Sequence, residues 1–160
     1  GPTGVTDTVR QTGREAEASP AYQKGGADEM LAVDARKSVQ NAAARAAIGI
    51  AHDLNAAAVA TFTSTGTTAR LTTEYRSRVP VFGFTTNWVT YRRMAIYRGV
   101  RPCHIDEQPT IEATIARMIE EVVRAGSARP GDLVVVTTKS DPDHLGGTDT
   151  IRLVRVDSTL

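Results

Sequence analysis

The sequence predicts an open α/β domain of three layers, with helices on both faces of a mixed five-stranded sheet that is mostly parallel and whose last strand runs antiparallel. Three observations carry that expectation. Short apolar runs, residues 56–62 and 133–138 above all, have the profile of strands buried on both faces. Segments with apolar residues at helical spacing separate the runs. The closing segment, Thr150-Ile151-Arg152-Leu153-Val154-Arg155-Val156, reads as an alternating strand, with one face exposed or meeting a partner.

Residues 1–29 read as a lead carrying the remnant of a preceding helix, and residues 30–160 as the domain. Gly1-Pro2-Thr3-Gly4 resembles a flexible or cloning-derived start, and Gly25-Gly26 interrupts any helix. From Ala32 to Leu54 a long helix is expected, with Val39, Ala43, Ala46, Ala47, Ile50 and Leu54 on its apolar stripe. A buried strand over residues 56–62 follows, then the polar turn Thr63-Ser64-Thr65-Gly66-Thr67-Thr68 and a helix over residues 67–75. The unit repeats as a strand over residues 79–84, a turn at Thr85-Thr86-Asn87, and a helix from Trp88 to Arg98 stopped by Gly99. Residues 100–105 form a third, shorter strand. A helix from Thr110 to Ala125 carries Ile111, Ile115, Met118, Ile119, Val122 and Val123 on one side, with Gly126 as its C-terminal cap. Gly131-Asp132 turns the chain into the strand at residues 133–138. The loop from Lys139 to Asp149 is too short for a crossover helix, so the strand after it must return antiparallel and lie at the sheet edge.

Composition narrows the function classes. At 160 residues the chain is about one domain, too short for a closed barrel of eight strands and helices, which needs roughly 200 or more. Nineteen basic against 18 acidic residues leave a net charge of +1, which argues against DNA, RNA or anionic membranes as partners. With 22 Ala and 21 Thr but only 5% aromatics, small-residue packing is expected. No run approaches 18 apolar residues and no signal peptide is visible, so the expected compartment is the cytoplasm. The single cysteine, Cys103, is read as an inert strand residue.

Ligands of open α/β sheets sit beyond the carboxyl ends of the parallel strands, and residues 63–68 occupy that place. Backbone N–H groups at the turn and the hydroxyls of Thr63, Ser64, Thr65, Thr67 and Thr68 suit an anion, and Gly66 permits close approach. Ordinary N-capping explains the same residues equally well, and the lysine of a Walker loop is missing. The polar loop after residue 138, including Asp143, His144, Leu145, Gly146, Gly147 and Thr148, should open on the same edge and complete a cleft. His52 reads as a cation set against a helix dipole, and His104 as a satisfied histidine. Neither has partners at metal spacing, so no metal site is expected. The acidic pairs Asp106-Glu107 and Glu120-Glu121 read as solvated faces, and Trp88 with Tyr91 as packing. Nothing forms a nucleophile with its base, so no catalytic residue is expected.

Several segments resemble the C-terminal domain of pyruvate kinase, over about Glu29 to Val156. They are residues 61–70, Tyr75-Arg76 followed by Val79-Pro80-Val81 with Thr85, Arg98-Gly99-Val100-Arg101-Pro102, Gly131 to Val136, and Gly147 to Leu153. Residues 14–18 are similar to the end of the helix that leaves the family's catalytic barrel. The resemblance implies a regulatory domain whose Thr63 to Thr68 hold the phosphate of an allosteric effector, while the loop from Asp143 to Thr148 closes over its sugar or nucleotide. It implies a homo-oligomer joined through the strand at Thr150 to Val156, with a purely structural, oligomerising role as the alternative. The parent enzyme would transfer phosphate from phosphoenolpyruvate to ADP in glycolysis using Mg and K. Those belong to the barrel, so this chain alone is expected to be non-catalytic and to need no cofactor. Members that bind a sugar bisphosphate often carry an arginine where Thr114 stands here; Arg117, one turn away, is offered as the substitute anion contact. A sugar monophosphate or AMP is then as plausible as a bisphosphate.

Overall fold

A computed structural model of the chain describes residues 26–140 and 147–158, and within residues 26–37 the backbone only. The elements are α1 (Gly26–Asp53), β1 (Ala58–Phe62), α2 (Thr67–Thr72) continued by a 3₁₀ turn (Thr73–Tyr75), β2 (Val81–Thr85), α3 (Trp88–Met94), β3 (Val100–His104), α4 (Ile111–Arg124), β4 (Leu133–Thr138) and β5 (Thr150–Arg155). The lead at residues 1–25 lies outside the described residues; α1 begins on the second of the two glycines, upstream of Ala32.

The sheet order is β3-β2-β1-β4-β5. All pairs are parallel except β4 with β5, which run antiparallel with Val135 opposite Leu153. The fold is therefore the predicted three-layer α/β domain. Because side chains alternate along a strand, each strand feeds two cores. Ala58, Ala60, Phe82, Phe84, Val134 and Val136 pack under Ile115, Met118, Ile119 and Val122 of α4. Val59, Val81, Val100 and Val135 face the other way, against Ala47, Ile48 and Ala51 of α1, Ala69 of α2 and Met94 of α3. Pro102, which cannot donate to a ladder, sits on β3 at one sheet edge, where the missing N–H costs nothing.

Two helices depart from expectation. Among the described side chains of α1 the buried ones are Val39, Ala43, Ala44, Ala47, Ile48 and Ala51; Ala46 and Ile50 are half-buried, and Leu54 just beyond the helix is 50% exposed. On so alanine-rich a helix several faces are equally apolar, and its roll is set by what it meets in β1 and β4. Helix α3 ends at Met94, short of Arg98. Ile96 N–H and Tyr97 N–H bond to carbonyls three residues back, Arg93 and Met94, so the last turn tightens and leads into Gly99 at φ 81°.

Candidate functional site

The turn after β1 is built on its own hydroxyls. Thr63 N–H still donates to Phe84 O of β2 (2.9 Å), after which the chain leaves the sheet. Thr63 Oγ1 accepts from the Gly66 N–H (2.9 Å), and the Thr65 and Thr67 hydroxyls bond to each other (2.9 Å). Gly66 sits at φ 87°, ψ −2°, the left-handed region. A Cβ there would meet Met94, Thr90 and Tyr97 only at ordinary contact distances, so backbone conformation, not space, requires the glycine.

Helix α3 holds this turn from the side. Thr90 Oγ1 donates to Ser64 O (2.6 Å) and Arg93 Nη1 to Thr65 O (3.2 Å). Two carbonyls that would repel an anion are thus turned toward donors on α3, and a guanidinium stands beside the turn. Neither contact was foreseeable, because nothing in the residues around position 90 points to a turn 26 to 28 positions earlier.

The structure divides the six residues of the turn. Ser64 and Thr65 are exposed and Thr67 is half-buried, whereas Thr63 and Thr68 are buried and engaged internally. Thr68 Oγ1 donates to Thr148 Oγ1 (2.7 Å), which joins the turn to the end of the loop between β4 and β5. The two loops expected to meet do so through this hydrogen bond. Gly147, at φ 83°, lies so close to Gln40 of α1 that a Cβ would come within 2.2 Å of its side-chain nitrogen. The loop's base is closed by Asp149, whose carboxylate accepts from Ser140 N–H (2.7 Å), Ser140 Oγ (2.9 Å) and Thr150 Oγ1 (2.8 Å). Asp143, His144, Leu145 and Gly146 lie outside the described residues.

A cleft of about 200 Å³ opens at the carboxyl ends of the strands, on the α4 side. Ser64 of the turn, Thr86 after β2, Lys139 after β4 and Thr114 of α4 line it, with Asp106 and Glu107 on the segment between β3 and α4. Phe62, Ile105 and Ile111 contribute its apolar surface. Thr114 thus reaches the cleft. Arg117 does not line it, being ion-paired with Glu121 and, at 3.7 Å, with Glu120.

The remaining candidates have structural partners. Where the sequence suggested a helix-end cation, His52 uses a ring lone pair, with Nε2 accepting the Arg78 N–H at 3.0 Å. His104 stacks on Trp88 with centroids 3.6 Å apart and planes 5° from parallel, and its Nε2 lies 3.0 Å from Thr86 O. Trp88 and Tyr91 pack edge to face at 5.5 Å. Burial first, then the charge of Glu121, pushes the Cys103 thiol up from its ordinary value, against opposing pulls from Arg101 and Arg117. A raised thiol keeps its proton and is a poor nucleophile. Among the described residues no group of three or more His, Cys, Asp or Glu is placed to hold a metal ion, and no helix is long and apolar enough to cross a membrane.

Comparison with known proteins connects this geometry to a family. Residues 41–154 match the family model described as pyruvate kinase, alpha/beta domain. The pyruvate kinase of Clostridium acetobutylicum is 30% identical over 155 residues, covering 97% of this chain and 32% of that protein. Pyruvate kinase 2 of a Synechocystis species is 33% identical over 125 residues, covering 78% and 21%. A crystal structure of a pyruvate kinase from Cryptosporidium parvum superposes with a TM-score of 0.65 at 26% identity, over 72% of this chain and 22% of that one. The chain therefore spans about a third or less of the length of these relatives.

Proposed function

Because the chain belongs to the family of pyruvate kinase C-terminal alpha/beta domains, we propose that it is the regulatory domain of such a kinase, binding a phosphorylated allosteric effector and contributing to subunit assembly. In this reading a catalytic barrel in the parent enzyme transfers phosphate from phosphoenolpyruvate to ADP, with Mg and K, and this chain by itself performs no chemistry. The effector's phosphate lies against Ser64, Thr65 and Thr67, the outward half of the Thr63 to Thr68 turn, and the loop from Asp143 to Thr148 closes over the rest of the ligand.

The observation that carries the reading is the Thr68 to Thr148 hydrogen bond, which joins the turn to the loop before β5 at the carboxyl edge of the sheet, while Ser64 of the same turn lines the cleft on the α4 side. Neutral hydroxyls and N–H groups suit one small phosphate, and Arg93 beside Thr65 O adds a cation that the turn itself lacks. Arg117, held by two glutamates, takes no part. Calorimetry with fructose bisphosphate, glucose phosphate, ribose phosphate and AMP should detect binding of at least one. No heat with any of them, from protein whose circular dichroism is intact, removes the effector claim. Thr65 is exposed, so Thr65→Asp should leave the fold unchanged while setting a carboxylate against the phosphate and abolishing binding.

Strand β5 supports the assembly half of the proposal. It pairs with β4 on one side only, and Leu153 is 38% exposed. Arg152 is drawn back to Glu112 (2.8 Å) and Arg155 to Gly131 O (2.7 Å), so neither guanidinium is spent on guarding the edge. Light scattering should find a dimer or larger species; a monomer at high concentration would leave effector binding alone.

A further inference from the structure

We propose that the outer face of α3 is a docking surface for an acidic protein segment that carries apolar side chains. Among the described residues, three of the large hydrophobic side chains left open lie there: Trp88 (54% exposed), Val89 (60%) and Ile96 (79%). Trp88, Arg92 and Ile96 recur at four-residue intervals and so share one face of α3 and the tightened turn that continues it. Helix α3 packs on β2 and β3, and β3 is the sheet edge opposite β5. The surface is therefore across the sheet from the loop before β5, and Trp88, Val89, Arg92 and Ile96 do not line the cleft.

The charge of the region fixes the sign of its partner. Residues 75–105 contain six arginines and no acidic residue, leaving 13 basic against 18 acidic residues in the rest of a chain whose net charge is +1. Four arginines elsewhere are neutralised: Arg70 pairs with Glu74, Arg117 and Arg124 with Glu121, and Arg152 with Glu112. Among the described residues none of Arg76, Arg78, Arg92, Arg93, Arg98 and Arg101 forms an ion pair, and all six are exposed. Arg93 and Arg101 reach only neutral oxygens, of Thr65 and Ser127. Trp88 is already held, stacked on His104 and edge-on to Tyr91, so covering it freezes little further freedom. Trp and Arg are among the residues that dominate binding energy at protein interfaces, and unpaired cations around an apolar patch select a partner of complementary charge. A nucleic acid can stack on Trp88 but offers nothing to the aliphatic Val89 and Ile96, and a long one meets the acidic remainder of the chain. A short acidic segment with apolar residues suits both features.

Trp88 is the only tryptophan of the chain, so its fluorescence reads the surface directly. The probes, added to the whole chain, are an amphipathic peptide of Glu, Leu and Ala with its leucines at helical spacing, the same peptide with Gln for Glu, and oligouridylate. The Glu peptide should move Trp88 emission to shorter wavelengths and saturate, while the Gln peptide binds at least about tenfold more weakly. Raising the salt from about 0.05 to about 0.3 M should weaken the Glu peptide severalfold as the charges are screened. Arg92→Glu and, separately, Ile96→Ser, both at exposed positions and checked for unchanged circular dichroism, should each cut its affinity about tenfold. No saturable shift, equal binding of the Gln peptide, or full affinity in either variant overturns the inference. Tighter binding of oligouridylate overturns it too, by assigning the face to nucleic acid. So does light scattering that finds an oligomer of the unaltered chain dissociated by Arg92→Glu, which assigns the face to a second copy.

Discussion

The two faces of the sheet are built from the same strands and end differently. Toward α4 the strands present Phe82, Phe84, Val134 and Val136, met by Met118, Ile119 and Val122. Toward α1 they present Val59, Val81 and Val135, met by Ala47, Ala51 and Ala69. At the carboxyl edge the α1 face is bridged by hydroxyls: Thr137 donates to Thr61 at 2.7 Å, both buried, and Thr68 donates to Thr148. The α4 face stays open as the cleft. Small side chains let backbones come close, and short hydroxyls then suffice to bridge them. Large ones hold the layers apart and leave room where the packing runs out. Among the described residues the cleft opens toward α4, although both faces share the carboxyl ends of the strands.

The largest expected effect lies on the face packed with large residues. Met118 is fully buried, and Met118→Ala should cost about 2–5 kcal/mol through lost burial and a residual cavity, read as the shift of a urea unfolding midpoint at unchanged slope. A loss below about 1 kcal/mol would mean that α4 settles into the void, and that the contrast between the faces is weaker than the packing suggests.

On the opposite face the sensitive change is enlargement. Ala47 is buried against the sheet, so Ala47→Leu should cost about 1–3 kcal/mol by forcing α1 outward. Leu54→Ala, at a position the periodicity placed on the same stripe but half open to solvent, should stay within about 0.5 kcal/mol. Equal effects from the two would show that α1 rolls freely on the sheet.

The most discriminating change is a hydroxyl exchange on this same face. Thr137→Val alone leaves the buried Thr61 hydroxyl without this partner, at a cost of about 1–3 kcal/mol, whereas Thr61→Val with Thr137→Val removes both and should be nearer neutral. The double-mutant cycle measures the coupling directly; additive losses would show that the hydroxyl bond contributes nothing to joining β1 and β4.

The contrast also separates what was legible from what was not. For α4 the stripe Ile111, Ile115, Met118, Ile119, Val122 and Val123 is the one found, four of them buried and two half-buried. Bulky aliphatic residues on a helix with charged residues elsewhere leave a single face that can go inward. For α1 the same reasoning put Leu54 inward and missed Ala44, Ile48 and Ala51, since alanine is nearly indifferent to which way it faces. The site behaves alike. The turn at residues 63–68 was readable from its place after a buried strand and from Gly66. The inward commitment of Thr63 and Thr68, the support from Thr90 and Arg93, and the capture of Arg117 by Glu120 and Glu121 all depend on residues brought together by the fold.

Periodicity, short apolar runs and one short loop were enough to determine the number of strands and the antiparallel return of the last one at the sheet edge, because these follow from local patterns and chain length. That a cleft opens toward α4 at the carboxyl ends of the strands was decided by the tertiary structure alone. It turns on the volumes of side chains packed from opposite layers, and on hydroxyls separated by 76 and 80 positions in the chain that meet only when the sheet is assembled.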